Sequence, residues 1–354
     1  MSAEPTSTRL PWLVEPLRHT LATQNAHALL VHGPGGVGQF ELALSLAQAW
    51  LCEDLSIPIV QRPCEVCASC RLVQAHSHPD LLVLIPEVLS EALGWTSGEG
   101  EEGGEERGGK KKPSKEIKVE AVRAAIAFAT TTSARGRGKV VAVHPAERMN
   151  GVAANAFLKT LEEPAGDARF VLCSSAPDRL LATIRSRCQA VVLALPPRQQ
   201  AEAWLTEQGV QDPGILLAAC GGQPQEALDW IARGIDSATW RALPGRVARG
   251  EAGSLSAWPL PCVVDVLQKV CHDAAALSCG GEPRYFPQGS VAVHADLGAL
   301  LRWATELRRV AGNAEHPWSV PLSVESLVEQ GREALKTPRS GRRDEQGMSL
   351  NSGR

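Results

Sequence analysis

A glycine-rich turn at residues 33–38 constrains the fold of this chain more than any other stretch. The apolar run Ala28–Val31 leads into the turn, and apolar residues at helical spacing follow it from Leu42 to Trp50. A strand, a glycine turn and a helix in this order have the outline of a P-loop, GxxxxGK[ST]. In a working P-loop, glycine amides surround phosphates, the lysine reaches the outer phosphates and the hydroxyl holds Mg²⁺.

Two residues that carry P-loop chemistry are replaced in this turn. Gln39 stands where the lysine belongs, and Phe40 stands where the hydroxyl belongs. The candidate cofactor-binding residues are the loop glycines: Gly33, Gly35, Gly36 and Gly38. We expect no ATP to bind to this degenerate loop, although the sequence does not decide whether it retains a nucleotide. Taken alone, the stretch is equally typical of a glycine-rich turn unrelated to P-loops.

Length and charge limit the classes of protein to which this chain can belong. A chain of 354 residues is typical of two or three domains. A net charge of -3 and a pI of about 6.3 argue against a protein that coats nucleic acid by bulk charge. Because no apolar run has the length of a signal peptide or a membrane span, we expect a cytoplasmic location and no membrane partner. The ten cysteines are then expected to be reduced thiols or metal ligands.

Four of these cysteines form the sharpest local pattern: Cys52, Cys64, Cys67 and Cys70. Two-residue gaps let neighbouring sulfurs bind one ion, and four thiolates can complete a tetrahedral site, so we predict structural Zn²⁺. The cysteines could instead be unrelated buried thiols. An iron–sulfur cluster is the closer alternative, because C-x₂-C-x₂-C opens a ferredoxin-type run, but the downstream C-x₃-C-P ligand is missing.

Two later apolar runs predict strands of a parallel sheet, Leu81–Ile85 and Lys139–Val143. We expect His76–Asp80, ahead of the first of them, to form a solvated loop rather than a metal site. In an ATPase, a strand such as the second ends in Asp-Glu, which hold Mg²⁺ and polarise the attacking water. His144 and Pro145 occupy these positions here, so the second half of a hydrolytic site is also missing.

Two further motifs carry a resemblance to a family. Asn155–Pro164 reads NAFLKTLEEP and resembles N-A-L-L-K-x-L-E-E-P, and Ser186-Arg187-Cys188 matches an SRC motif. Together with the glycine loop and the four cysteines, they resemble the clamp-loader branch of the AAA+ proteins from about Leu10 to Lys336. The resemblance implies an AAA+ type, P-loop NTPase-like α/β fold with a doubly wound parallel sheet and a zinc module, then a helical lid and an all-α collar domain.

The resulting predicted parts are an α/β domain at 1–195, a lid at 196–245, a collar or oligomerisation domain at 246–336 and a disordered tail at 337–354. Within the first part, residues 94–116 are rich in Gly, Glu, Lys, Ser and Pro. They hold too little apolar surface to offset the cost of ordering, so we predict a disordered insertion. Lys110–Lys112 could touch DNA, but a solvated charge run is the better interpretation.

The motor subunits of this family, which hydrolyse ATP, keep the P-loop and strand-end residues intact. This chain departs from that pattern, which implies a subunit that does not hydrolyse ATP. Gln39, Phe40, His144 and Pro145 replace the residues that the motor subunits keep intact. A fifth departure is Gln225, which occupies the place of a nucleotide-sensing arginine in a lid motif.

The arginine of the SRC motif is retained as Arg187. By resemblance, Arg187 is the one catalytic candidate, an arginine finger that acts in trans on ATP bound by an adjacent motor subunit, where a planar charged fork suits the γ-phosphate. We expect an exposed fingertip with few contacts inside its own chain. The alternative is an ordinary solvated arginine before an edge strand.

The resemblance implies a stationary subunit of the loader complex of bacterial DNA polymerase III, without intrinsic activity but part of a DNA-directed DNA polymerase (nucleotidyltransferase) holoenzyme. Its implied partners form a hetero-oligomer of tau/gamma ATPase subunits and a delta subunit, which places the β sliding clamp on primed DNA. Two alternatives stay open. One is an active AAA+ ATPase with unusual residues, and the other is a zinc-dependent nucleic-acid-binding module, which the acidic pI disfavours.

Overall fold

Five parallel strands form the sheet that carries the glycine loop. They are β1 (Ala28–His32), β2 (Leu81–Leu84), β3 (Lys139–Val143), β4 (Ala168–Ser174) and β5 (Gln189–Val192). Their order is β2-β3-β4-β1-β5, and every neighbouring pair is parallel. Leu30 of β1 lies opposite Leu172 of β4 and Ala190 of β5. The glycine loop therefore leaves the sheet at the end of a strand that is flanked on both sides.

The computed structural model describes residues 10–95, 113–253, 255–291, 295–312 and 319–336. The helices before residue 209 are α1 (Val14–Thr23), α2 (Gln39–Leu51), α3 (Ala68–Gln74), α4 (Glu87–Ser90), α5 (Val119–Thr130), α6 (Gly151–Glu162), α7 (Ala182–Arg185) and α8 (Arg198–Glu207). The later helices are α9 (Pro213–Ala219), α10 (Pro224–Ala232), α11 (Ser237–Arg249), α12 (Leu260–Ser278), α13 (Leu297–Gly312) and α14 (Val320–Ala334). Short 3₁₀ helices span Pro11–Leu13, Ile59–Gln61, Ala146–Arg148 and Pro177–Arg179.

Helices cover both faces of the sheet. Ala28 and Leu30 of β1 belong to a buried cluster that includes residues of α5 and α6. Because side chains alternate along a strand, Leu29 and Val31 point to the opposite face, where α2 packs. The apolar run that predicts β1 is continuous because both of its faces are buried. The predicted doubly wound parallel sheet of the P-loop NTPase-like type is confirmed.

Contacts within the chain define two compact units, one of residues 1–209 with 222–228 and one of 210–221 with 229–354. Helices α11–α14 lie in the second unit. Trp303 of α13 donates its indole N–H to the Leu327 carbonyl at 3.0 Å. Gly331 of α14 sits against that indole, since a Cβ there would lie 2.6 Å from Trp303 Cζ2. Helix α11 runs to Arg249, through the predicted boundary at 245/246, and the division into lid and collar stays a prediction.

The structure describes only the two ends of the predicted insertion at 94–116. Trp95 stacks on His76 with ring centroids 4.1 Å apart. The Ser114 N–H donates to a carboxylate oxygen of Glu87 at 2.8 Å, so both ends of the stretch are ordered, in contrast to the prediction. Residues 96–112, with Lys110–Lys112, and the predicted tail at 337–354 lie outside the described residues. Among the described helices, none is both long and apolar enough to cross a membrane.

Candidate functional site

The glycine loop between β1 and α2 is held closely by its own chain. Gly33 donates its N–H to the Ser174 carbonyl at 3.4 Å. Gly38 has a φ of 99°, and a Cβ there would lie 2.4 Å from Leu10 Cδ1, so the position needs glycine for its conformation and for space. The Trp12 indole N–H donates to the Val37 carbonyl at 2.8 Å. The loop thus has the P-loop shape, and the residues that precede α1 hold it in place.

Gln39 turns its side chain back into this loop. Its amide Nε2 donates to the Gly33 carbonyl at 3.0 Å and also to the Pro34 carbonyl. The side chain is buried. A lysine at this position would carry a charge toward phosphates, whereas the amide of Gln39 is used to close the loop on itself.

The segment at the start of α10 lies over the loop. Gln225 donates its backbone N–H to the Gly36 carbonyl at 3.3 Å, and its side-chain amide donates to the Glu41 carboxylate. A Cβ on Gly36, which has a φ of 63°, would lie 3.2 Å from the backbone nitrogen of Glu226. Residues 222–228 belong to the same compact unit as the sheet. The chain itself therefore occupies the approach to the loop glycines.

An aromatic pair stands where the P-loop hydroxyl and the strand-end carboxylate of an ATPase would meet Mg²⁺. The Phe40 ring stacks on the His144 imidazole, with centroids 4.8 Å apart and planes 22° apart. Burial lowers the pKa of His144 to about 4, against a smaller opposing effect of Glu147, so the imidazole is neutral at pH 7. Neither side chain offers the oxygen ligands that Mg²⁺ prefers.

Glu147 is the acidic residue nearest to the end of β3 in sequence. Its Oε1 accepts hydrogen bonds from the backbone N–H and the hydroxyl of Ser175, each at 3.1 Å. That oxygen is therefore engaged by the loop after β4. A sequence pattern could not assign this role, because the two residues are 28 positions apart.

The structure brings the four predicted metal ligands together. The sulfurs of Cys52, Cys64, Cys67 and Cys70 lie within 4.8 Å of one another, and this cluster could hold a metal ion. Cys52 directly follows α2, Cys67 caps the start of α3, and Cys70 lies in the first turn of α3. Tetrahedral Zn²⁺ with bonds of about 2.3 Å needs sulfurs about 3.8 Å apart, and Cys64 Sγ lies 3.9 Å from Cys70 Sγ.

Backbone amides support the sulfurs of this cluster. Cys67 N–H donates to Cys64 Sγ at 3.3 Å, and Cys70 N–H donates to Cys67 Sγ at 3.4 Å. Burial raises the pKa of Cys67, but the hydrogen bond from Cys70 N–H and further hydrogen bonds outweigh it and bring the pKa to about 7. N–H donors stabilise thiolates, which are the metal-binding form. The donor set and its supports therefore fit a structural metal.

The prediction of a solvated loop at His76–Asp80 is wrong for its last part, because His78 and Asp80 are buried. Asp80 N–H donates to His78 Nδ1 at 3.0 Å, which leaves His78 Nε2 to donate to the Ser69 hydroxyl at 3.0 Å. Arg135 Nε donates to that hydroxyl at 3.0 Å and to Glu53 Oε1 at 2.7 Å. A polar network thus joins the cysteine module to the edge of the sheet, through partners too distant in sequence for a local pattern to reveal.

Arg187 is less free than the sequence predicts. Its Nε lies 2.6 Å from Glu162 Oε1, its Nη2 contacts the same oxygen, and its Nη1 lies 2.8 Å from the Thr183 carbonyl. Its side chain is 29% exposed. Among the described residues its hydrogen-bond partners belong to α6 and α7, not to the glycine loop.

Comparison with known proteins identifies the family. Residues 11–197 match the family model described as "DNA polymerase III, delta subunit". A Pseudomonas aeruginosa relative named DNA polymerase III subunit delta′ is 37% identical over 216 residues, which cover 60% of this chain and 58% of the relative. An Escherichia coli relative of the same name is 32% identical over 288 residues, which cover 75% and 78%. The chain belongs to the DNA polymerase III subunit delta′ family.

The matches to these delta′ relatives are uneven along the chain. The chain spans 58% of the length of the Pseudomonas aeruginosa relative, and the family model ends at residue 197, shortly before the second compact unit. A solved Thermotoga maritima protein described as DNA polymerase III gamma subunit-related covers 91% of this chain with a TM-score of 0.49 and 16% identity. Because the family model covers residues 11–197, the delta′ assignment rests above all on the unit that holds the sheet, the glycine loop and the cysteine cluster.

Proposed function

We propose that this delta′ family member is the stationary, non-hydrolysing subunit of a bacterial clamp loader. The observation that carries the proposal is the stacked pair of Phe40 and His144, which replaces the two metal-binding positions of a P-loop ATPase. Gln39 closes the loop in place of a phosphate-binding lysine. Hydrolysis needs phosphate neutralisation and a positioned Mg²⁺, and these residues supply neither.

The proposed surroundings follow from this role. The partners are tau/gamma ATPase subunits and a delta subunit in a hetero-oligomer in the cytoplasm, which loads the β sliding clamp onto primed DNA. The subunit then belongs to the DNA polymerase III holoenzyme and has no catalysis of its own. The glycines Gly33, Gly35, Gly36 and Gly38 would keep the fold of the loop without holding ATP.

We assign Zn²⁺ to the four cysteines as a structural ion. Tetrahedral sulfur coordination would join the end of α2 to the start of α3. Gln48 of α2 also donates to the Cys70 carbonyl at 3.1 Å, so the same two helices are linked by the chain itself. The role of this module is to complete the fold next to the sheet rather than to perform chemistry, because four cysteine ligands leave no open position for a substrate.

Arg187 is the residue that we assign to a neighbour's reaction. In the assembled ring, its guanidinium would offset the charge that develops on the γ-phosphate of ATP bound by an adjacent subunit. A guanidinium is permanently charged and can offer two parallel N–H donors, whereas a lysine offers only a point charge.

The test is to rebuild the loader with Arg187→Ala and measure its ATPase activity in the presence of DNA and clamp. An arginine finger supplied in trans is worth on the order of 10³-fold at its own site, but sites served by other subunits keep working, so we expect a partial loss of total rate. Arg187→Lys should rescue poorly. Arg185→Ala is the matched control, since Arg185 lies two residues away and pairs with the exposed Asp178.

Unchanged ATPase and clamp loading with Arg187→Ala, in rings of verified composition, would contradict the finger. ATP turnover by the purified subunit alone would favour the active-ATPase alternative. Salt-sensitive DNA binding by the isolated chain would instead favour the nucleic-acid-binding alternative.

A further inference from the structure

The side chain of Arg187 is fixed at two points on two helices. Glu162 Oε1 accepts from Nε at 2.6 Å and also from Nη2, and the Thr183 carbonyl accepts from Nη1 at 2.8 Å. The first contact engages the edge of the guanidinium formed by Nε and Nη2. The second holds the opposite nitrogen, so the two contacts together fix the plane of the group and not only its position.

Both fixing groups are themselves located by the hydrophobic core. Glu162 is the last residue of α6 and directly follows Leu161, which is fully buried. Thr183 lies in α7 and directly precedes Ile184, which is also fully buried. Since packed core residues have little freedom to move, the backbone is held in place at Glu162 and at Thr183. The Glu162 side chain is itself 47% exposed, and its carboxylate forms, with the Thr183 carbonyl, a frame around the guanidinium.

This frame leaves one edge of Arg187 available. A guanidinium has five N–H donors, and the contacts with Glu162 and Thr183 use one on each nitrogen. Nη1 and Nη2 therefore each retain a second N–H that no described residue accepts. With 29% of the side chain exposed, these donors suit a phosphate of an incoming partner.

We propose that Glu162 is a positioning residue, which holds Arg187 in the orientation needed to contact the phosphates of a nucleoside triphosphate bound by a neighbouring subunit. The inference rests on the proposed function of Arg187 as a finger. The opposite role, in which Glu162 withholds Arg187 until the ring assembles, predicts the opposite sign of effect. Orientation is favoured because the contacts with Glu162 and Thr183 use only one N–H on each nitrogen, so the guanidinium can contact a phosphate without leaving Glu162.

The size of the effect follows from the freedom that Arg187 would regain. A free arginine side chain distributes over many rotamers, and fixing it costs conformational entropy. In this chain that entropy is already lost on folding, before any partner binds. Loss of the carboxylate would leave only the Thr183 contact, so the productive orientation would be populated less often. We expect a decrease of roughly three- to tenfold in the rate at the site served by Arg187.

The experiment compares loaders rebuilt with Glu162→Ala, Glu162→Gln, Arg187→Ala and the double variant Glu162→Ala/Arg187→Ala. The readouts are kcat and KM for ATP in the presence of DNA and clamp. Glu162→Ala should lower kcat with little change in KM, because a finger acts on the transition state. Glu162→Gln keeps an acceptor oxygen at the same reach and should retain most of the rate. The double variant should equal Arg187→Ala alone, since Glu162 acts through Arg187.

Asp178→Ala is the matched control. Asp178 lies in the 3₁₀ helix Pro177–Arg179 and pairs with Arg185 of α7. Its side chain is 95% exposed, so its loss should leave kcat unchanged. Thermal unfolding and ring assembly are measured for each variant. If Glu162→Ala fails to fold, Glu162→Gln against Glu162→Lys gives the same comparison, with Glu162→Lys expected to be the slower.

Four results would overturn the proposal. A faster ATPase with Glu162→Ala would show that the carboxylate withholds the arginine. An unchanged kcat, or the same loss in the Arg187→Ala background, would show that Glu162 does not act through Arg187. If Arg187→Ala itself has no effect, the finger is refuted together with this inference, whereas an effect of Arg187→Ala without one of Glu162→Ala refutes the inference alone.

Discussion

Removal of the Asp80 carboxylate should strongly destabilise the sheet unit. Asp80 is fully buried and accepts hydrogen bonds from the Ser133 hydroxyl at 3.0 Å, the Ala134 N–H at 2.7 Å, the Arg135 N–H at 2.9 Å and Lys139 Nζ at 3.1 Å. The Lys139 side chain is only 7% exposed. Asp80→Ala would therefore leave a buried ammonium and two backbone N–H groups without their acceptor.

The expected loss is about 3–5 kcal/mol of unfolding free energy, which is typical when one partner of a buried ion pair is removed. Two features place it toward the lower end. The Lys139 ammonium keeps the face of Phe128, whose centroid is 4.1 Å away, and such a contact retains about 0.5–1 kcal/mol or more. Water can also reach the loop N–H groups once the carboxylate is gone. Asp80→Asn keeps one acceptor oxygen and should cost less, about 2 kcal/mol.

The assay is urea unfolding with hydrogen exchange of β2 and β3, which reports on this unit separately from the helices of the second one. Burial raises the pKa of Asp80, but the N–H groups of Ala134 and Arg135, with Lys139 and Ser133, outweigh it and hold the pKa below its usual range. A depressed folded pKa gives stability that is present above the unfolded pKa of about 3.9 and is lost as pH falls through the folded pKa. The gap between the native protein and Asp80→Ala should therefore shrink below about pH 4.

A loss below about 1 kcal/mol at pH 7 would refute this reasoning, because it would mean that the network contributes no more than a surface ion pair. Asp178→Ala serves as the control, since its exposed pair with Arg185 should change stability by no more than about 0.5 kcal/mol.

The remaining predictions concern the metal and the nucleotide. Elemental analysis should find one Zn per chain, and Cys67→Ser should loosen the cysteine module while the rest stays folded; iron, or no metal in carefully purified protein, would contradict the assignment. The isolated subunit should show no ATP hydrolysis above background, and Gln39→Lys should not create any, because His144 and Pro145 still stand where the carboxylates belong. Turnover that persists through further purification would reverse this conclusion.

The parts of the site that could be predicted from the sequence are those with short-range patterns. The strand before the glycine turn is a continuous apolar run because it is buried on both faces, and the three cysteines at 64–70 meet because their spacing fits the start of α3. The replaced positions at Gln39 and Phe40 are visible because they lie within the motif itself. Each of these features depends on residues that are neighbours in the chain.

The parts that could not be predicted depend on partners that only the fold brings together. Asp80 meets its loop partners more than 50 positions later, and Arg187 meets Glu162 across 25. A buried aspartate and a solvated one look the same in a polar stretch such as His76–Asp80. The Asp80 carboxylate could be assigned to the interior only once its hydrogen-bond donors were known.

Phe40 and His144 stand together in place of the Mg²⁺-binding residues of an ATPase. The two residues stabilise each other there, which neither would do if it were the only one replaced. A hydroxyl and carboxylates gathered for Mg²⁺ are costly to bury when the cation is absent, since a buried charge needs a partner. A phenyl ring stacked on a neutral imidazole needs none, and its contact is as favourable without nucleotide as with it. We therefore expect this loop to keep one conformation throughout an ATP cycle. In the proposed stationary role, the other subunits of the ring would move against this one, and a loop that keeps one conformation would suit that role.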